Sequence, residues 1–153
     1  MIGGMSHAVP DHGVSSVSEQ VSISVPARAE FLSMVRLMVG DLANRLNMSI
    51  DEVDDLQLAV DELCIQVIAG EGGNGAMLIV DADASDVAIR VDCRLDGSHA
   101  IASSDGADGP LELPASISKQ ILDALVDAHG RDGDIEHPSA WLTKRKRLDS
   151  GRP

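Results

Sequence analysis

Apolar residues at Val21, Ile23 and Val25 alternate with Ser22 and Ser24 until Pro26 stops the run, the period-two pattern of a half-buried strand. From Ala27 the period lengthens. Phe31, Val35, Met38, Val39, Leu42 and Leu46 recur at three- and four-residue steps, which predicts a helix that ends near Asn47. Ser49 followed by Glu52 has the spacing of a capping box, in which each side chain accepts from the other residue's backbone amide. A second helix is therefore expected, with Val53, Leu56, Val60, Leu63, Cys64 and Val67 as its apolar stripe and Gly70, Gly72, Gly73 and Gly75 as its end. Residues 76–82 and 87–93 are short apolar runs around a polar turn at 83–86, which reads as a hairpin. Between Asp96 and Pro114 the periodicity disappears and glycines and prolines gather, predicting a long loop. Ile117, Ile121, Leu122, Leu125 and Val126 predict a third helix ending at Gly130, and a final strand or hairpin over 132–147 is anchored by Trp141 and Leu142.

The order strand, two helices, two strands, loop, helix, one or two strands predicts an α+β two-layer sandwich with a mainly antiparallel sheet and helices on one face. At 153 residues the chain is long enough for one such domain, placed at 20–148, between a flexible Gly- and Ser-containing leader (1–19) and a short tail (149–153). His7 and His12 in the leader read as part of a disordered tail rather than as a metal site.

Composition narrows the partners. Twelve basic against 25 acidic residues leave a net charge of −13, which repels phosphate backbones and argues against direct nucleic-acid or anionic-membrane binding. The acidity is concentrated, because residues 48–136 hold 20 acidic and 4 basic side chains, whereas Lys144, Arg145, Lys146 and Arg147 form a basic run. An acidic face steers a basic protein surface toward it; the alternative is acidity that serves solubility alone. A basic run of four at one end is too short to bind nucleic acid against that net charge. No apolar run reaches the length of a membrane span and no signal-type segment is present, so the expectation is a soluble cytoplasmic protein. Cys64 and Cys93 lie singly in apolar stretches and are expected to be buried thiols.

The chemistry concentrates in residues 58–70, LAVDELCIQVIAG. Glu62 and Gln66 stand one helical turn apart and project to the same side, with Asp55 and Asp61 near that edge. A carboxylate and an amide so spaced suit a base or water-orienting group and a metal ligand, and a solvated polar face is the plain alternative.

Ala59, Val60, Glu62 and Cys64 match the helix A-V-x-E-x-C-x-N, so the segment resembles the N-box of the histidine-kinase-type (GHKL) ATPase fold, in the branch of bacterial anti-sigma factors that are also protein-serine kinases. The opening VSISVPARAEFLSMVRLMV and the closing SISKQILDALVDAHG and AWLTKRKRL resemble the same family, extending the similarity from Val21 to about Leu148. The resemblance implies a regulator that sequesters an alternative sigma factor. It further implies phosphorylation of a serine on an anti-anti-sigma (STAS-domain) partner using ATP and Mg²⁺, and a homodimer. Glu62 would be the general base and Arg36 a residue that contacts the protein partners. Gln66 stands where the family has its magnesium-binding asparagine and is both the metal ligand and a nucleotide contact by that correspondence. Asp92, or Asp96 with Gly97, corresponds to the adenine-binding Asp-x-Gly, although Arg94 takes the expected glycine place; Gly106 and Gly109 correspond to the glycine-rich lid. These departures leave a second reading, a protein-binding module of the same fold without ATP binding or phosphoryl transfer.

Overall fold

The computed structural model describes residues 18–71, 75–97, 114–133 and 137–148. Strand β1 (Glu19–Pro26) leads through a 3₁₀ turn at Ala29–Phe31 into helices α1 (Leu32–Arg45) and α2 (Ile50–Glu71). Strands β2 (Met77–Ala84) and β3 (Ala88–Asp96), helix α3 (Ala115–Leu125), and strands β4 (Ala128–Gly133) and β5 (Pro138–Arg145) follow. The five strands form one open antiparallel sheet in the order β1-β2-β3-β5-β4. Their apolar sides meet the three helices, so the fold is the expected α+β two-layer sandwich. Residues 1–17, 72–74, 98–113, 134–136 and 149–153 lie outside the described residues, and with them most of the expected leader, Gly72 and Gly73, the expected loop with Gly106 and Gly109, and the expected tail.

The core is aliphatic. Val35, Val39, Leu56, Val60, Leu63 and Val67 from the helices meet Leu78, Val80, Ile89, Val91 and Leu142 from the sheet, all of them fully buried. The capping box forms as read: Ser49 N–H donates to Glu52 Oε2 (2.7 Å) and Glu52 N–H to Ser49 Oγ (3.2 Å). α1 ends at Arg45, and Asn47 takes the left-handed conformation (φ 55°) that reverses the chain toward α2. The β2–β3 turn is closed by Ser85, whose N–H reaches Ala88 O (2.9 Å) while its Oγ accepts from Ala88 N–H (3.2 Å).

Two expectations are corrected. α3 stops at Leu125 instead of Gly130, and residues 128–133 become a strand paired with β5. The helix can end early because the buried Lys144 ammonium takes the carbonyl of Leu125 (2.7 Å), one of the last-turn acceptors a helix leaves unfilled. Trp141 is not a core anchor. Leu142 faces the helices, so its neighbour points to the outer side of the sheet, where the indole lies against Gly130 and stacks on the Arg90 guanidinium (4.5 Å to the ring centroid).

Cys64 on α2 and Cys93 on β3 are free and buried, with Sγ atoms 3.6 Å apart. The hydrogen bond with Cys93, together with burial, holds the Cys64 thiol well above its ordinary titration range, so its thiolate is scarce. Native protein is expected to resist iodoacetamide and to take up two carbamidomethyl groups in denaturant, as read by intact mass; fast labelling of the native state would contradict this burial.

Candidate functional site

α2, α3 and β4 enclose a cleft of about 340 Å³, within the range of small-molecule sites. Three short-range patterns aim side chains into it. On α2, Glu62 and Gln66 are one turn apart and share a face with Ile65 beside them. On α3, Ser118 and Leu122 are likewise one turn apart, placing a hydroxyl within an apolar stripe. On β4, His129 and Arg131 are two residues apart and pair with Leu142 and Ala140, so they share the helix-facing side of the sheet.

Glu62 lies at the base of this cleft, 9% exposed, and the Ser118 hydroxyl donates to its Oε1. At the rim, Asp123 accepts from Lys119 Nζ (2.7 Å) and contacts His129 Nε2 (2.7 Å), and these two partners hold its carboxyl below the ordinary range. Arg131 donates to the Gln66 carbonyl across 3.4 Å.

The other residues picked out from the sequence are dispersed. Asp92 points to the outer face of the sheet and binds Arg90 through both carboxylate oxygens (2.9 and 3.0 Å). Because Val91 and Cys93 turn inward, the strand's alternation sends Asp92 the other way, away from Glu62. Asp96 is exposed at the end of β3, opposite Met77, and Gly97 follows with φ +73°; neither lines the cleft. Asp55 turns toward Lys144 (3.5 Å) and Asp61 toward Arg36 (2.6 Å), so neither of these acids joins Glu62.

Arg36 therefore bridges α1 to α2, with its side chain 42% exposed. Burial raises the Asp61 carboxyl above its ordinary range against the lowering pull of Arg36, and Asp61 Oδ1 is buried with no hydrogen-bond partner among the described residues. Gln57 Nε2 donates to Arg36 O (3.1 Å) at the crossing with Gly40, which steadies the same junction. Exposed Leu37, Met34 and Leu58 lie on these two helices.

The cleft's donors suit a phosphate-bearing ligand: two cations, an imidazole and an amide stand near one hydrogen-bonded carboxylate. Glu62 and Gln66 bring side-chain oxygens to the cleft that could face a cation, and among the described residues no three His, Cys, Asp or Glu side chains cluster as a metal site. Two protein ligands suit Mg²⁺ when phosphate and water complete its shell. Ser118, His129 and Arg131 were not evident from the sequence. The available signals were a serine on the α3 stripe and the two-residue spacing of His129 and Arg131, but the latter straddles the place where a helix end is expected.

No family model matches the chain. A 50-residue stretch is 42% identical to the serine-protein kinase RsbW of Halalkalibacterium halodurans, covering 33% of this chain and 31% of that protein. Stretches of the same length are 30% identical to serine-protein kinase RsbW of Bacillus thuringiensis and of Bacillus anthracis, with the same coverage. The chain thus matches about a third of the length of these curated relatives. Among the described residues, no helix is long and apolar enough to cross a membrane.

Proposed function

We propose that this protein is an anti-sigma regulatory factor of the histidine-kinase-type (GHKL) ATPase fold, which sequesters an alternative sigma factor and phosphorylates a serine of an anti-anti-sigma (STAS-domain) partner. The observation that carries the reading is the hydroxyl of Ser118 donating to Glu62 inside the cleft. A serine hydroxyl on a buried carboxylate is the contact that a general base makes with the serine it deprotonates. The partner's serine would replace Ser118, and Glu62 would accept its proton as the serine oxygen attacks the γ-phosphorus of ATP and the bond to the departing ADP breaks. ATP with Mg²⁺ supplies the phosphoryl group when bound. Gln66 offers a carbonyl to the metal, and Lys119 and Arg131 offset phosphate charge at the rim. Arg36, with Leu37 and Leu58 on the same helix pair, is the partner-binding surface in this reading. A homodimer working in the cytoplasm, away from nucleic acid and membrane, completes it.

The placement of Asp92 on the outer face favours a second reading, in which the same surface holds a sigma factor and no phosphoryl group is transferred. One pair of assays decides. The protein is tested for co-purification with alternative sigma factors, with Arg36→Ala expected to weaken capture, and for radiolabel transfer from ATP to a STAS protein. Transfer that is lost in Glu62→Ala supports the kinase; capture without transfer selects the second reading; failure of both rejects the proposal.

A further inference from the structure

Cys64 and Cys93 are the only two cysteines of the chain, and the fold brings them together across its two layers. They come from α2 and β3, 29 positions apart in sequence, and the Cys93 thiol donates to the Cys64 sulfur at 3.6 Å. Both are buried. An aliphatic core does not require such a contact, since a buried thiol packs against carbon as a small apolar group. A disulfide holds its sulfurs about 2.05 Å apart, so the pair has roughly 1.5 Å to close. The cross-strand neighbour of Cys93 on β5 is Ala140, whose methyl is among the smallest side chains that can crowd that movement.

We propose that Cys64 and Cys93 are a reversible oxidation site, at which a small peroxide converts the two thiols into a disulfide within the chain. One thiolate attacks an oxygen of hydrogen peroxide, the O–O bond breaks, the sulfur becomes a sulfenic acid, and the departing oxygen takes up the thiol's proton and leaves as water. The second thiol attacks that sulfur, the S–S bond forms, the S–O bond breaks and a second water departs with the second proton. Two electrons pass from the sulfurs to the peroxide. The first step is slow, because both thiols are enclosed and the Cys64 thiolate is scarce. The second is fast, because the resolving sulfur is already in contact. That order of rates delivers a disulfide in place of further oxidation, and burial selects an oxidant near the size of water over bulky reagents. The bond would tie α2, two residues beyond Glu62, to β3 in the middle of the sheet.

The full chain, reduced and folded, is exposed to millimolar hydrogen peroxide, quenched with catalase and alkylated with iodoacetamide in urea before intact-mass and tryptic analysis. Oxidised protein is expected to take up no carbamidomethyl group where reduced protein takes up two. The link removes two hydrogens, about 2 Da. Trypsin should release peptides 46–90 and 91–94 joined to each other, and dithiothreitol should separate them and restore both alkylation sites. Relative to chains oxidised in urea, the ratio of disulfide to cysteine sulfinic acid should be higher by about tenfold or more, because only the fold holds the sulfurs in contact. The urea midpoint of the oxidised form should lie at or above that of the reduced form, and a lower midpoint would show that the bond does not fit the native packing. Two alkylation sites surviving the peroxide, sulfinic acid as the main product, a disulfide-linked dimer, or the same product ratio in folded and unfolded chains each overturns the site.

Discussion

Replacing Lys144 with alanine is expected to lower the unfolding free energy by about 2 kcal/mol, the scale for leaving a polar group inside the fold without its partner. The side chain is only 7% exposed although it belongs to a run of four basic residues. Its ammonium donates to Leu125 O at 2.7 Å and reaches Asp55 Oδ2 at 3.5 Å, tying β5 to the end of α3 and the start of α2. Loss of the side chain strips the helix carbonyl of its donor and removes an aliphatic stem from the core-facing row of the sheet. Lys144→Met should recover part of the loss, because it restores the stem without the charge. Arg145→Ala and Lys146→Ala, whose side chains have no described ion pair, should stay within about 0.5 kcal/mol of the parent. Urea unfolding with an unchanged m-value measures all four, and equal effects across the run would contradict the buried role.

Glu52→Ala should cost about 1 to 3 kcal/mol, since it takes the acceptor from two backbone N–H groups. The carboxylate is 3% exposed and accepts from Ser49 N–H (2.7 Å) and from Arg147 N–H (2.5 Å), so one residue caps α2 and fastens the chain just beyond β5. Burial alone would raise its titration, but the hydrogen bonds from Arg147 and Ser49 outweigh it and hold the group below its ordinary value. The folded state therefore binds fewer protons than the unfolded state in this range. The stabilisation is complete above the ordinary value of about 4.5 and is lost as pH falls through the lowered folded value. Asp81, lowered by the Ser22 hydroxyl and by Arg94, contributes with the same sign, whereas Asp61, raised by burial, contributes with the opposite sign. Acid unfolding of Glu52→Gln should accordingly depend less steeply on pH than that of the parent. An unchanged slope would show that Glu52 does not carry this linkage.

The parts of the fold that were legible are those with local causes. The α1 and α2 stripes, the Ser49–Glu52 cap and the β2–β3 hairpin follow from spacing within a few residues, and each lies where its period puts it. The direction of Asp92 also has a local cause: its neighbours Val91 and Cys93 are both apolar, so strand alternation points it away from the core and from any pocket under the helices. The end of α3 had no local signal, because Ile121, Leu122, Leu125 and Val126 continue a helical period up to the residue at which the chain becomes extended.

What the sequence by itself determined is the class of fold, the apolar stripes of α1 and α2, the buried thiols and the helix that carries Glu62 and Gln66. Those follow from periodicity and burial, which act residue by residue along the chain. Only the tertiary structure decided that β4 forms, that Lys144 turns inward while its neighbours do not, and that Ser118, His129 and Arg131 meet Glu62. Each of these depends on a partner outside its own element: β5 for β4, Leu125 O for Lys144, and α2 for the cleft. Polar side chains are directed by hydrogen bonds and charge partners that the fold brings together, so their destinations cannot be read before those partners are in place.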